Sequence, residues 1–184
     1  MPVRTTGIDG LLVVKWEDFA DDRGFFRQTY QISELTEALG RDLVLRQGNH
    51  ARSSPGVVRG FHAEPWDKLV YVVRGTAMAA ILDQRPGSPT FGEVATFHLG
   101  DPPAERIRLF VTAGLGNAYC TYGADNVDYL YDVSEEYRSV DKVAVAFDDP
   151  DLAVNWPVAS PIASHADRGN PRLRDRFPDH PRFQ

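Results

Sequence analysis

Arg46 to Arg74 reads RQGNHARSSPGVVRGFHAEPWDKLVYVVR, and this stretch decides the fold. Turn residues at Ser53-Ser54-Pro55-Gly56 are followed by alternating apolar residues. Such a pattern predicts two strands joined by a tight connection. The first run carries Gln47 and Asn49. The second carries Arg59, Gly60, Phe61 and His62, and Lys68 opens the apolar strand Leu69 to Val73. Two cations, one imidazole and two amides are thus expected near one another in a β-forming chain.

Outward from this stretch, short strands are expected at 11–16, 25–31, 77–82, 93–99, 107–111, 118–122, 127–132 and 143–147. Gly, Pro, Asn or Asp bounds them, and so many short strands suggest an all-β sandwich or barrel. Leu43 to Gln47 leads into the central stretch. Ile32 to Leu39 is the clear early helix, with Ser33 as its expected cap, Leu35 and Leu39 on one face, and Gly40 as its end. Ser134 to Tyr137 reads as a helical turn. One domain over 1–184 is expected, with the tail from about 168 to 184 irregular or a short helix packed outside. An antiparallel barrel encloses an interior lined by alternate strand residues, where a small ligand can sit.

Composition excludes several functions. A formal charge of −6 is wrong for non-specific nucleic-acid binding. No apolar run is long enough for a membrane helix, and the opening MPVRTTGIDG has no apolar signal core, so a cytoplasmic location is expected. The single Cys120 stands in a strand-like run and reads as a buried structural thiol.

Of the five histidines, His62 stands out as a candidate general base, with Arg59 before it and Glu64 and Lys68 after it. Metal-binding barrels offer two or three histidines and a carboxylate. Here only His62 and Glu64 are close, and the later segment 114–119 carries Asn117 where a second histidine would serve. No metal and no cofactor are therefore expected. Arg23, Arg59 and Lys68 are either exposed strand-end charges or a cluster for a phosphorylated ligand. Tyr131 is a core or surface aromatic or, if it lines the barrel, a phenol that can donate a proton opposite a base. Asp167, taken alone, is an exposed acid or a helix cap.

One family matches this order of residues. Asp21-Asp22-Arg23-Gly24-Phe25-Phe26, Gln47-Gly48-Asn49, Gly56-Val57-Val58-Arg59-Gly60-Phe61-His62, Lys68-Leu69-Val70, the block from Asp83 to Gly92, Leu130-Tyr131, Trp156-Pro157 and Ser164-His165-Ala166-Asp167 resemble the dTDP-4-dehydrorhamnose 3,5-epimerases, from about residue 7 to 173. The resemblance implies a cupin-type β-jelly-roll, mainly β, with one or two short helices outside. It also implies a metal-independent homodimer acting on a dTDP-4-keto-6-deoxyhexose. By the same resemblance His62 is the base, Asp167 its partner and Tyr131 the acid. Arg23, Gln47, Asn49, Arg59 and Lys68 match substrate-binding residues.

The chain departs from the family at three substrate-side positions. Asn117 stands where a histidine is common. Gln28, and Lys142 in a less regular stretch, stand where glutamates are common. The expectation is an active epimerase whose sugar or stereochemical outcome differs from double inversion. The competing readings are a metal-dependent barrel enzyme and a non-catalytic barrel that binds a sugar nucleotide.

Overall fold

A computed structural model describes residues 3–15, 17–138 and 143–184. Its strands are β1 (Val3–Thr5), β2 (Leu11–Val14), β3 (Phe19–Asp21), β4 (Gly24–Phe26), β5 (Gln47–Ser53), β6 (Val58–Ala63), β7 (Lys68–Arg74), β8 (Thr76–Asp83), β9 (Val94–Gly100), β10 (Arg108–Val111), β11 (Leu115–Tyr122), β12 (Val127–Val133) and β13 (Val143–Ala144). Two antiparallel sheets form, β1-β2-β10-β7-β12-β5 and β13-β6-β11-β8-β9, and β3 and β4 make a separate ribbon. From β5 onward the chain changes sheet at every step except β8 to β9. That is why the architecture is the expected jelly-roll. The turn at 54–57 joins β5 to β6 across the sandwich and does not close a hairpin.

The strand period of two sorts the core. In β7, Val70 and Val72 enter the space between the sheets, while Leu69 joins the outer cluster of Leu12, Val14, Leu35, Leu43 and Phe110. In β8, Ala77, Ala79 and Ile81 point inward and Ala80 and Leu82 outward. Both sheets are thus apolar on both faces, and each outer face needs a cover. Helix α1 (Ile32–Leu39) covers the six-stranded sheet through Leu35, which is fully buried. The C-terminal segment covers the five-stranded sheet: Val145, Leu173, Phe177 and Phe183 pack on Phe61, Ala80 and Phe91. That segment includes α2 (His165–Arg168), α3 (Leu173–Arg176) and a 3₁₀ turn at Pro181–Phe183. The tail therefore completes a core and is not a loose appendage.

Several local expectations are corrected. Helix α1 ends at Gly40 in the left-handed region (φ 63°), as expected, but its N-cap is Gln31 with no side-chain bond, and Ser33 lies inside the first turn. The strand expected over 25–31 stops at Phe26, because Arg27 turns away to pair with Asp18 and to donate to the Tyr71 hydroxyl at 2.7 Å. Ser134 to Tyr137 is not helical. Its backbone N–H groups go elsewhere, Ser134 to the Asp67 carbonyl (3.1 Å) and Tyr137 to Gln47 Oε1 (2.8 Å). The strand expected over 143–147 is shorter, Val143–Ala144; Val145 still exchanges backbone hydrogen bonds with Phe61 (3.0 and 3.2 Å), after which Ala146 N–H bonds the Pro171 carbonyl. Strand β2 ends at Val14, and Trp16 lies outside the described residues. No helix among the described residues is long and apolar enough to cross a membrane.

Candidate active site

Between the sheets opens a cavity of about 690 Å³. Its walls come from both sheets and from the segment leading into α2. The five-stranded sheet supplies Arg59, His62, Asn117 and Tyr119; the six-stranded sheet supplies Lys68, Tyr129 and Tyr131; Ser164, Asp167 and Asn170 close one side.

His62 and Arg59 share this wall because of an irregularity in β6. They lie three residues apart, so a regular strand would send them to opposite faces. Across the ladder, however, Arg59 faces Tyr119 and His62 faces Asn117, so three steps on β6 match two on β11. The extra residue is a bulge, which re-aims a side chain. Gly60 sits in it with φ 118°, and a Cβ there would come within 2.5 Å of the Ala118 Cβ. Only glycine fits so close an approach.

His62 Nε2 lies 2.6 Å from Asp167 Oδ1. Asp167 is buried and held in turn: Ser164 Oγ donates to its Oδ2 at 2.9 Å, and its own N–H donates to Ser164 Oγ at 3.0 Å. Ser164 is the N-cap of α2, so the short helix exists chiefly to place this carboxylate. With Nε2–H given to Asp167, the lone pair of neutral His62 is on Nδ1, and the ring is free to accept a proton there. The imidazole is about one-third exposed to the cavity, and the carboxylate is not.

Tyr131 stands on β12 in the opposite sheet and packs its ring on the core. Burial raises its pKa, the negative charge of Glu64 raises it further, and Arg59 opposes this in part. The phenol therefore keeps its proton at neutral pH. Behind it, Tyr129 and Tyr119 stack at 3.9 Å with planes 9° apart. Tyr129 donates to Asn117 Oδ1 (3.2 Å), which leaves the Asn117 NH₂ turned to the cavity. Tyr119 and Ser53 hydroxyls meet at 3.1 Å, and Arg59 Nε donates to Ser53 Oγ at 3.2 Å. Arg59 is thereby anchored in the cavity wall. Lys68 donates to the His62 carbonyl at 3.1 Å and pairs with Glu64.

The structure thus brings His62, Tyr131, Asp167, Arg59, Lys68 and Asn117 to one cavity. Gln47 and Asn49 stand on β5 beside it, where Gln47 Nε2 donates to Asn49 Oδ1 (2.7 Å) and Asn49 Nδ2 reaches the Tyr131 carbonyl (3.4 Å). Arg23 and Gln28 do not line it. Arg23 is exposed on the β3–β4 ribbon and paired with Asp21, and Gln28 bonds Gln31. Lys142 lies outside the described residues. Sequence reasoning passed over Ser53, Tyr119, Tyr129 and Ser164 as site residues. Only Ser164 left a signal, the Ser-x-x-Asp spacing of a helix start. Cys120 is fully buried on β11, and burial pushes its thiol up to about 11, so it is no nucleophile. Among the described residues, no three His, Cys, Asp or Glu side chains converge as a metal site would require.

An imidazole backed by a carboxylate, facing a phenol across a cavity, is a pair that can remove a proton from one face of a substrate and return one to the other. The cations and amide donors around them can stabilise an oxyanion. The chain is similar to known proteins in sequence and in fold. The sequence model described as dTDP-4-dehydrorhamnose 3,5-epimerase matches residues 5–175. A dTDP-4-dehydrorhamnose 3-epimerase of Streptomyces niveus is 35% identical over 91% of this chain and 82% of its own. A dTDP-4-dehydrorhamnose 3,5-epimerase of Shigella flexneri is 31% identical over 95% and 97%. The crystal structure of NovW, a 4-keto-6-deoxy sugar epimerase of Streptomyces spheroides, superposes with a TM-score of 0.89 at 33% identity, covering 94% of this chain and 87% of that one.

Proposed function

The chain belongs to the dTDP-4-dehydrorhamnose 3,5-epimerase family, and from that premise we propose that it epimerises a dTDP-4-keto-6-deoxyhexose at C3, C5 or both. The observation that carries the proposal is the placement of His62 and Tyr131 on facing sheets of one cavity, with Asp167 behind the imidazole.

The 4-ketone acidifies the hydrogens at C3 and C5. His62 Nδ1 takes one of them, and the electron pair moves onto the carbonyl oxygen as an enolate. Asp167 stabilises the imidazolium that forms. Lys68 and the Asn117 amide, which both line the cavity, supply donors to that oxygen in this reading. The Tyr131 hydroxyl returns a proton from the far side, which inverts the carbon. Arg59 at the mouth, with its fork of donors, suits the diphosphate. No metal or cofactor is required by this chemistry.

Asn117 replaces a titratable donor with a neutral one, and Gln28 drops a charge. On this reading the sugar surroundings differ while base and acid are kept, so the outcome differs from double inversion. Incubation with dTDP-4-keto-6-deoxyglucose in D₂O, followed by NMR, tests both points. Deuterium entering at one of C3 and C5 is the expected result. Entry at both with clean conversion to the L-sugar removes the altered outcome, and entry at neither removes the epimerase reading for this substrate.

The working unit in this proposal is a homodimer. Phe19, Phe25 and Phe26 are 62%, 54% and 66% exposed on a ribbon that pairs with no other strand of its own chain among the described residues. Arg23 and Gln28, both matched to substrate contacts, sit on or beside that ribbon and away from the cavity. Light scattering is expected to give twice the chain mass. A monomer with full activity would contradict the dimer.

A further inference from the structure

Glu64 follows β6 and lines the cavity beside His62. Its carboxylate is about nine-tenths buried, and it forms an ion pair with Lys68, whose side chain is buried to a similar degree. Its backbone is fixed as well, since Gly114 N–H donates to the Glu64 carbonyl at 3.0 Å. The Lys68 ammonium reaches on to the His62 carbonyl. A carboxylate at this depth costs several kcal/mol in desolvation unless its partner and geometry repay it. Neither the proton transfer nor phosphate binding uses it, and a negative charge inside a cavity for an anionic ligand is unfavourable on its face.

We propose that Glu64 is a positioning residue, which clamps the Lys68 ammonium against the His62 strand and keeps the Tyr131 phenol protonated for its role as acid. The inference rests on the epimerase reading given above. An ammonium left unpaired in this cavity would favour phenolate at Tyr131. The charges facing Tyr131 are Glu64, Lys68 and Arg59, with the His62–Asp167 pair across the cavity and the neutral phenols of Tyr119 and Tyr129 beside it. Glu64 is the nearby carboxylate that opposes Lys68 and Arg59. Consistent with this, burial is the main force holding the Tyr131 proton and the Glu64 charge is the next.

Two isosteric variants of opposite sign test the inference. In Glu64→Gln the shape is kept and the negative charge is lost, so phenolate becomes easier to form. The alkaline limb of the kcat–pH profile and the tyrosinate titration assigned by difference from Tyr131→Phe should both move to lower pH, by about one unit for one nearby charge. In Lys68→Gln the carboxylate is left unopposed, and the tyrosinate titration should move to higher pH. Glu64→Asp, which restores the charge, should restore the profile in part. Wild-type-like tyrosinate titrations in both glutamine variants would overturn the inference while leaving the epimerase intact. Failure of the wild-type protein to exchange substrate hydrogens would instead remove the epimerase reading beneath it, and the ultraviolet titration would still report on the charge coupling.

Discussion

His62→Ala is expected to lower turnover of the 4-keto sugar nucleotide by about 10²–10⁴-fold, the usual contribution of a positioned general base. Both conversion and deuterium wash-in should fall together, because without the imidazole no hydrogen leaves the carbon beside the ketone. Binding should be little affected, since the proposal sets His62 against the sugar ring and not the diphosphate; a dTDP titration followed by calorimetry measures this. The structure gives the reason for the size of the effect. Nε2 is committed to Asp167 at 2.6 Å, and that carboxylate is fixed by Ser164, so the ring presents Nδ1 in one orientation. The nearby carboxylate, Glu64, is engaged by Lys68 and cannot substitute freely. A variant that keeps more than about a tenth of wild-type exchange would assign the base elsewhere.

Tyr131→Phe is expected to separate the two halves of the reaction. Inversion should fall by about 10²-fold or more, as for loss of a general acid. Wash-in of deuterium should continue, because His62 can remove a hydrogen and return a deuteron to the same face. Starting material would then recover labelled and uninverted. The separation follows from the sandwich itself: base and acid are carried by different sheets, so deleting one hydroxyl leaves the opposite wall untouched. NMR of the recovered substrate measures both quantities in one sample. Equal loss of wash-in and inversion would mean that Tyr131 supports the base and is not the acid.

The local elements that depend on neighbours in sequence were legible before the structure. The spacing of Leu35 and Leu39 and the glycine after them define α1, apolar runs locate β7 and β8, and alternation locates β12. What could not be read depends on distant partners. Periodicity says that β5 and β6 are strands, but not that the turn between them crosses from one sheet to the other. The outer faces of both sheets are apolar, so the inward side of a strand such as LLVV at β2 is undetermined until its covers are known. Two residues three apart on a strand should diverge, and only the bulge at Gly60, opposite Ala118, lets Arg59 and His62 face one cavity.

The site divides in the same way. His62 stood out as a candidate base from its neighbours, whereas the proposed roles of Tyr131 as acid and Asp167 as partner came with the family resemblance. Alone, Asp167 reads as a surface acid, and it lies 105 positions from the imidazole it touches. Glu64 was visible as the residue two after His62 but was weighed only as a metal ligand. Its ion pair with Lys68 became apparent once the turn after β6 brought the two together. Arg23 at the tip of the β3–β4 ribbon and Gln28 just after it stand away from the cavity of their own chain.

The crystal structure of the protein with a dTDP-linked 4-keto or product sugar tests the central geometry most directly. The account places the hexose ring between the sheets, with C3 or C5 about 3–3.5 Å from His62 Nδ1 and the Tyr131 hydroxyl over the opposite face. The C4 oxygen should point toward Lys68 and the Asn117 amide. A sugar bound with both side chains on the same face, or outside the cavity altogether, would contradict it.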